Sequence, residues 1–245
     1  MLRGKLSPYD NEELGMCTAA LALYTGGKDS HYALLKALHA GVKVQGLVTV
    51  TPRRSDSWMF HTVNVYWTKL HSELLGCPQI MVGVSGVKEV EVYELYNELR
   101  KVVKDVGVDC LISGAVLSRY QKKRVDMLSK KLRLSHYAPL WGYDPLSLLG
   151  EEVKTLGFIV TAIQAYGLRS YWLGRRLLPR DIGSIERLQR EYGINPVGEG
   201  GEFETLVITS PLFRGRGVCI NRASILWYPH EWRGYYLVED ASICP

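Results

Sequence analysis

The feature that most constrains this chain is an alternation running to about residue 140. Short apolar runs alternate with longer stretches whose apolar residues recur at helical spacing. Residues 18–24, within "CTAALALY", read as a fully buried strand. Ser30–Ala40 reads as a helix with Leu34, Leu35 and Leu38 inward and Gly41 as its stop. The series continues with a strand at 42–50, a helix at 64–75, a strand at 79–83, a helix at 87–105 and a strand at 108–113. In 87–105 the residues Val92, Leu95, Tyr96, Leu99, Val102 and Val103 fall on one face. Strands separated by helices this long need right-handed crossovers, so the pattern predicts an α/β fold with a doubly wound parallel sheet. After "PLWGYD" at 139–144 the alternation loosens into a helix at 145–156, a strand at 158–165 and a helix at 181–192. Strands at 205–208, 217–226 and 235–239 then follow without helices between them. The expected organisation is a first domain over 1–142 and a smaller mixed α+β domain over 143–245, with 1–16 as a polar extension.

Composition narrows the classes. The chain has 245 residues, 47% of them hydrophobic, which is ample for a sizeable core. The apolar stretch 17–24 holds eight residues, against the roughly 20 that cross a bilayer, so no membrane span is expected. The first sixteen residues carry three acidic groups and no apolar centre, which reads as a cytoplasmic protein rather than an exported one. Among the five cysteines the closest two lie 25 positions apart and no CxxC pair exists. That spacing argues against a zinc ribbon or a cysteine-bound cluster and leaves the cysteines as small buried hydrophobes. A net charge of +5 permits anionic partners without choosing among them.

The stretch "TGGKDS" at 25–30 lies between the first strand and the first helix. It is no Walker A loop, because Ala22 stands where the first Gly belongs and Asp29 where Ser or Thr belongs. What remains still suits a phosphate. Gly26 and Gly27 let backbone amides come close, and the helix start adds unpaired N–H groups and a favourable dipole. Thr25 and Ser30 supply hydroxyls, Lys28 supplies charge, and Asp29 caps the helix or helps hold Mg²⁺.

Three further stretches carry chemistry-bearing residues. "SGAVLSRYQKKRVDMLSKKL" at 113–132 follows the fourth strand, at the strand ends where open parallel sheets bind ligands. There Gly114 permits close approach, and Arg119, Tyr120, Gln121 and Arg124 lie nearest the strand end. "GEGGEFETLV" at 198–207 crowds Glu199, Glu202 and Glu204 among glycines just before a strand. Like charges so close need a cation, a positively charged substrate or good solvation. "SDSWMFHTVN" at 55–64 places Trp58, His61 and Asn64 in a loop where a substrate lid belongs.

Residues 25–30 resemble the PP-loop, SGGxDS, of the ATP pyrophosphatases, with Thr25 in place of its first Ser. Together "TGGKDS", "SWMFHTVN", "SGAVLSRYQKKRV", "PLWGYD" and "GEGGEFETLV" resemble the diphthine:ammonia ligase family, in order from about residue 18 to residue 240. The resemblance implies a PP-loop ATPase, HUP-like sandwich and ATP-dependent amidation of diphthine on elongation factor 2. ATP and Mg²⁺ would be the cofactors, ammonium the nitrogen donor, and AMP and pyrophosphate the products after an acyl-adenylate. Thr25, Gly26, Gly27, Lys28, Asp29, Ser30, Gly114, Tyr120, Gln121 and Arg124 would then bind the nucleotide, with Asp29 at the metal. Lys28, Asp29, Glu199, Glu202 and Glu204 would serve catalysis. The three glutamates stay open between meeting the quaternary ammonium, orienting ammonia and completing the metal site. His61, Asn64, Trp141, Gly200, Gly201 and Thr205 would contact substrate. A tRNA-modifying PP-loop enzyme and a nucleotide sensor without turnover remain as alternatives; no membrane partner is implied, nucleic acid is disfavoured, and self-association is left open.

Overall fold

The computed structural model describes residues 17–52, 64–87 and 90–245. Trp58, His61 and residues 1–16 lie outside this range. Five parallel strands form the first sheet: β1 (Ala19–Leu23), β2 (Lys43–Pro52), β3 (Gln79–Val84), β4 (Cys110–Ile112) and β5 (Ser135–Tyr137). Their spatial order is β3-β2-β1-β4-β5. The chain steps outward from β1 to β3, then returns to the other side of β1, so the order reverses between β1 and β4. A crevice opens at the carboxyl ends of such a pair.

Period-two side chains assign each sheet face. Ala20 and Ala22 of β1 face the side of α1 (Lys28–His39), while Leu21 meets Leu95 and Leu99 of α3 (Val90–Val106) and Val125 and Leu128 of α4 (Arg119–Leu132) on the other. Each of those leucines is fully buried, worth roughly 1.5–3 kcal/mol. The small alanines leave room for α1 and for the second unit, whose residues share one continuous core with them. That unit comprises α5 (Pro145–Thr155), α6 (Ile182–Tyr192) and four antiparallel strands closed into a small barrel: β6 (Gly157–Gln164), β7 (Phe203–Thr209), β8 (Gly217–Tyr228) and β9 (Arg233–Cys244). The remaining helix, α2 (Thr68–Leu75), lies between β2 and β3. Among the described residues, no helix is long and apolar enough to cross a membrane.

Three local expectations are corrected. Leu38, expected inward, is 36% exposed; the buried stripe of α1 runs instead through His31, Leu34, Leu35 and Ala37. β5, three residues long with no apolar run, went unrecognised in the sequence. Four cysteines are not isolated hydrophobes but form the disulfides Cys17–Cys110 and Cys219–Cys244, with Cys77 free. Strand pairing brings them together: Ala20 lies opposite Cys110, and Gly217 opposite Cys244. Local spacing does not report such long-range partners.

Candidate functional site

Helix α1 starts two residues earlier than its sequence pattern implies, so Lys28, Asp29 and Ser30 form its first turn. Gly26 has φ +79°, and a Cβ there would lie 2.8 Å from Thr68 Cγ2, so both the turn and the packing demand glycine. Within the loop, the Thr25 and Ser30 hydroxyls lie 3.1 Å apart and Ser30 Oγ donates to Gly27 O. Strand β7 of the second unit grips the loop from outside. Val207 N donates to Gly26 O at 2.9 Å, and Thr205 Oγ1 accepts from Lys28 N at 3.1 Å.

The loop opens on a cavity of about 160 Å³ at the β1/β4 crevice. Its apolar wall includes Leu23, Val48, Val50 and Val125. Its polar wall includes Thr25, Asp29, Ser30, Ser113, Gln121, Glu199, Glu204 and Thr205. Gly114 closes the junction between β4 and α1: a Cβ there would fall 2.7 Å from Ser30 N and 2.8 Å from the Asp29 carbonyl carbon. An apolar slot beside a glycine loop, a helix N-terminus and hydroxyl groups has the makings of a nucleotide site, with phosphates at the helix end.

Several expected residues sit elsewhere. Lys28 turns away from the cavity: its side chain is 1% exposed, with Nζ 2.6 Å from Asp29 Oδ1, 3.3 Å from Glu152 Oε2 and 5.9 Å from the Phe203 ring centre. Burial alone would lower the Lys28 pKa, but the Asp29 and Glu152 carboxylates outweigh it and raise it. Tyr120 and Arg124 stack on each other, the guanidinium carbon 3.2 Å from the ring centre, and neither lines the cavity. Asn64, with φ 60°, is tied to the β9 backbone by bonds to Tyr236 O and from Val238 N. Trp141 lies under the Lys122 ammonium, 5.5 Å from its ring centre, and off the cavity. Gly201, with φ +88°, bends the 198–202 turn, and neither it nor Gly200 lines the cavity.

The three glutamates do not converge on one point. Glu199 accepts from Val116 N and Leu117 N at 2.8 and 2.7 Å, bracing the loop after β4 from the second unit. Glu202 accepts from Asn195 N in the loop before its turn, and among the described residues its buried Oε2 has no hydrogen-bond partner. Glu204, on β7 opposite Ala162, lines the cavity. Their crowding in sequence is therefore relieved chiefly by backbone amides, because alternation along β7 and the turn before it send them in different directions.

Sequence reasoning missed two polar chains at the site. Ser113, on the cavity wall, lies 2.7 Å from His136 Nε2, and His136 Nδ1 lies 2.6 Å from Asp126 Oδ1. The His136 contact, with Lys122 beside it, holds the Asp126 carboxyl below its usual range. Behind the loop, Ser210, His31, Tyr24, His71 and Val207 O form a second chain through contacts of 2.7–2.8 Å. A carbonyl only accepts, so His71 Nε2 carries the proton and its Nδ1 accepts from Tyr24. Tyr24, having used its hydrogen, accepts from His31 Nδ1, whose Nε2 accepts from Ser210. Burial keeps both rings neutral, lowering His71 to about 4 and His31 well below its usual value. Each partner comes from a different element, which is why no local pattern marks these chains.

Comparison with known proteins agrees in both halves. Residues 18–136 match the family model described as diphthamide synthase N-terminal domain, and 144–244 match that of the diphthamide synthase C-terminal domain. A protein from Danio rerio named diphthine–ammonia ligase is 32% identical over 213 residues, spanning 79% of this chain and 83% of the relative. Proteins of the same name from Homo sapiens and Bos taurus are each 32% identical, spanning 79% of both chains in each pair.

Proposed function

Since the chain belongs to the diphthamide synthase family, we propose that its cavity binds ATP and a diphthine-bearing protein and carries out ATP-dependent diphthamide synthesis. The protein substrate is the diphthine form of elongation factor 2, and the setting is the cytoplasm. The observation that carries this reading is the glycine loop at the start of α1, opening on the β1/β4 crevice beside Glu204.

The chemistry is an amidation. The diphthine carboxylate attacks the α-phosphorus of ATP, the α–β bridging bond breaks and pyrophosphate leaves. Ammonia then attacks the acyl carbon of the adenylate, AMP departs, and the nitrogen gives up its extra proton to a base or to water. The apolar wall of Leu23, Val48, Val50 and Val125 takes the adenine, and Gly114 admits the backbone of the sugar–phosphate close to α1. Thr25, Ser30 and the helix end hold the phosphates. Glu204 faces the acceptor, where a carboxylate attracts a trimethylammonium group or accepts a proton from ammonium. Mg²⁺ suits the hard oxygen donors of Asp29, Thr25 and Ser30, and its charge would offset that of the phosphates. Glu199 acts at one remove, holding the loop that carries Gly114.

The tRNA-modifying and sensor alternatives are not favoured, since the named relatives are ligases along most of their length. Product analysis tests the reading. ATP consumed in the presence of the diphthine protein and ammonium should appear as AMP and pyrophosphate; ADP and phosphate as main products would contradict it.

A further inference from the structure

Lys28 is a cation inside a phosphate-binding loop, yet it points into the protein. Its ammonium has three N–H groups and two carboxyl groups beside it: Asp29, whose side chain is 31% exposed and reaches the cavity, and Glu152 of α5, which is fully buried. Glu152 is an unusual residue for that position. Neither of its oxygens has a hydrogen bond of good geometry among the described residues; Lys28 Nζ lies 3.3 Å from Oε2, and burial together with the neighbouring Asp29 holds the Glu152 carboxyl well above its usual pKa despite the Lys28 charge. An acidic group held so deep is costly unless it does something for that neighbour.

We propose that Glu152 is a positioning residue: by giving the Lys28 ammonium a second acceptor, it frees the Asp29 carboxylate to engage a metal–nucleotide complex in the cavity. This rests on reading the cavity as the ATP site. A divalent cation that reaches Asp29 draws its carboxylate away from Lys28. With Asp29 as its sole acceptor, the ammonium would be left buried and unpaired once the carboxylate turned to the metal, and the two cations would compete. With Glu152 at 3.3 Å the ammonium keeps a partner, and the loss on releasing Asp29 shrinks accordingly. The Phe203 ring, 5.9 Å from Nζ, adds a further weak attraction. Lys28 thereby serves the loop as a buried counter-ion that never needs to touch phosphate.

The test measures binding rather than turnover. Calorimetric titration of α,β-methylene-ATP, which is not cleaved at the α–β position, is run across a range of Mn²⁺ concentrations. Glu152→Met removes the acceptor at similar volume and should raise the Mn²⁺ concentration for half-maximal binding by about tenfold, the scale of one hydrogen bond to a charged group. Glu152→Gln keeps an acceptor oxygen and should restore the wild-type requirement to within a few-fold. If Glu152→Met does not fold, the pair Lys28→Met with Glu152→Met replaces the ion cluster by apolar side chains and should need no more Mn²⁺ than wild type. A wild-type Mn²⁺ requirement in Glu152→Met, or weaker metal-free nucleotide binding in the double variant, would overturn the proposal, the latter by showing that Lys28 reaches phosphate. Wild-type protein that binds no nucleotide at any Mn²⁺ concentration would instead overturn the reading of the cavity itself, and the inference with it.

Discussion

Thr25 and Gly114 show how single positions set the site. The Thr25 hydroxyl bonds within its own loop as well as facing the cavity, so Thr25→Ser should leave nucleotide affinity nearly unchanged. Thr25→Val removes that hydroxyl and should weaken binding by about tenfold, read by titration with an ATP analogue. At Gly114 an added Cβ would meet the backbone of Asp29 and Ser30, which cannot swing aside as a side chain can. Gly114→Ala should therefore cost about 1–3 kcal/mol through overpacking and push α1 out of register with β4; unchanged melting and unchanged nucleotide binding would show that the junction yields freely. The loop was legible in the sequence because glycines and a helix start leave a local mark, whereas Gly114, read there as room for a nucleotide, has its Cβ position against the α1 backbone. Lys28 was placed correctly in the loop but not in direction: a sequence gives position, and the rotamer follows from Glu152, 124 positions further on. Glu204 and Glu199 line the cavity, Glu199 with its carboxylate on the amides of Val116 and Leu117, whereas Glu202 accepts from Asn195 N.

β7 is the element that joins the two halves of the site. It supplies Glu204 to the cavity, Thr205 to the first amide of α1, Val207 N to Gly26, and the Val207 carbonyl to His71. Thr205→Val should leave Lys28 N without its acceptor, at about 1–3 kcal/mol, while Thr205→Ser should keep it; chemical denaturation of the two variants separates them. Strands and helices with strong periodicity were readable, as in α3, since burial of one face is what their spacing encodes. β5 was not readable, because a three-residue edge strand is specified by its neighbour β4 rather than by its own composition. The closed pairing of β6 with both β7 and β9 was likewise hidden. Sequence showed strands without helices between them but not which edges meet.

The whole molecule should be acid-sensitive for a reason visible in its core. His71 is held neutral by burial, its pKa lowered from 6.5 to about 4. A depressed value means the fold favours the neutral ring, so this contribution is complete above the unfolded pKa and is lost as pH falls through the folded one. The difference amounts to roughly 3 kcal/mol. Melting temperature should decline from neutral pH towards pH 4, and less steeply in His71→Phe. The disulfides add a second global dependence: reduction should lower the melting temperature, each bridge contributing about 2–4 kcal/mol. Both effects concern the frame that keeps β7 against the loop, and the frame matters only if the cavity does what its residues imply. The direct measurement is mass spectrometry of diphthine-bearing elongation factor 2 after incubation with the chain, ATP and heavy-nitrogen ammonium. The diphthine carboxylate should become an amide carrying the heavy nitrogen, with AMP and pyrophosphate formed alongside. An unaltered carboxylate in the presence of folded, nucleotide-binding protein would contradict it.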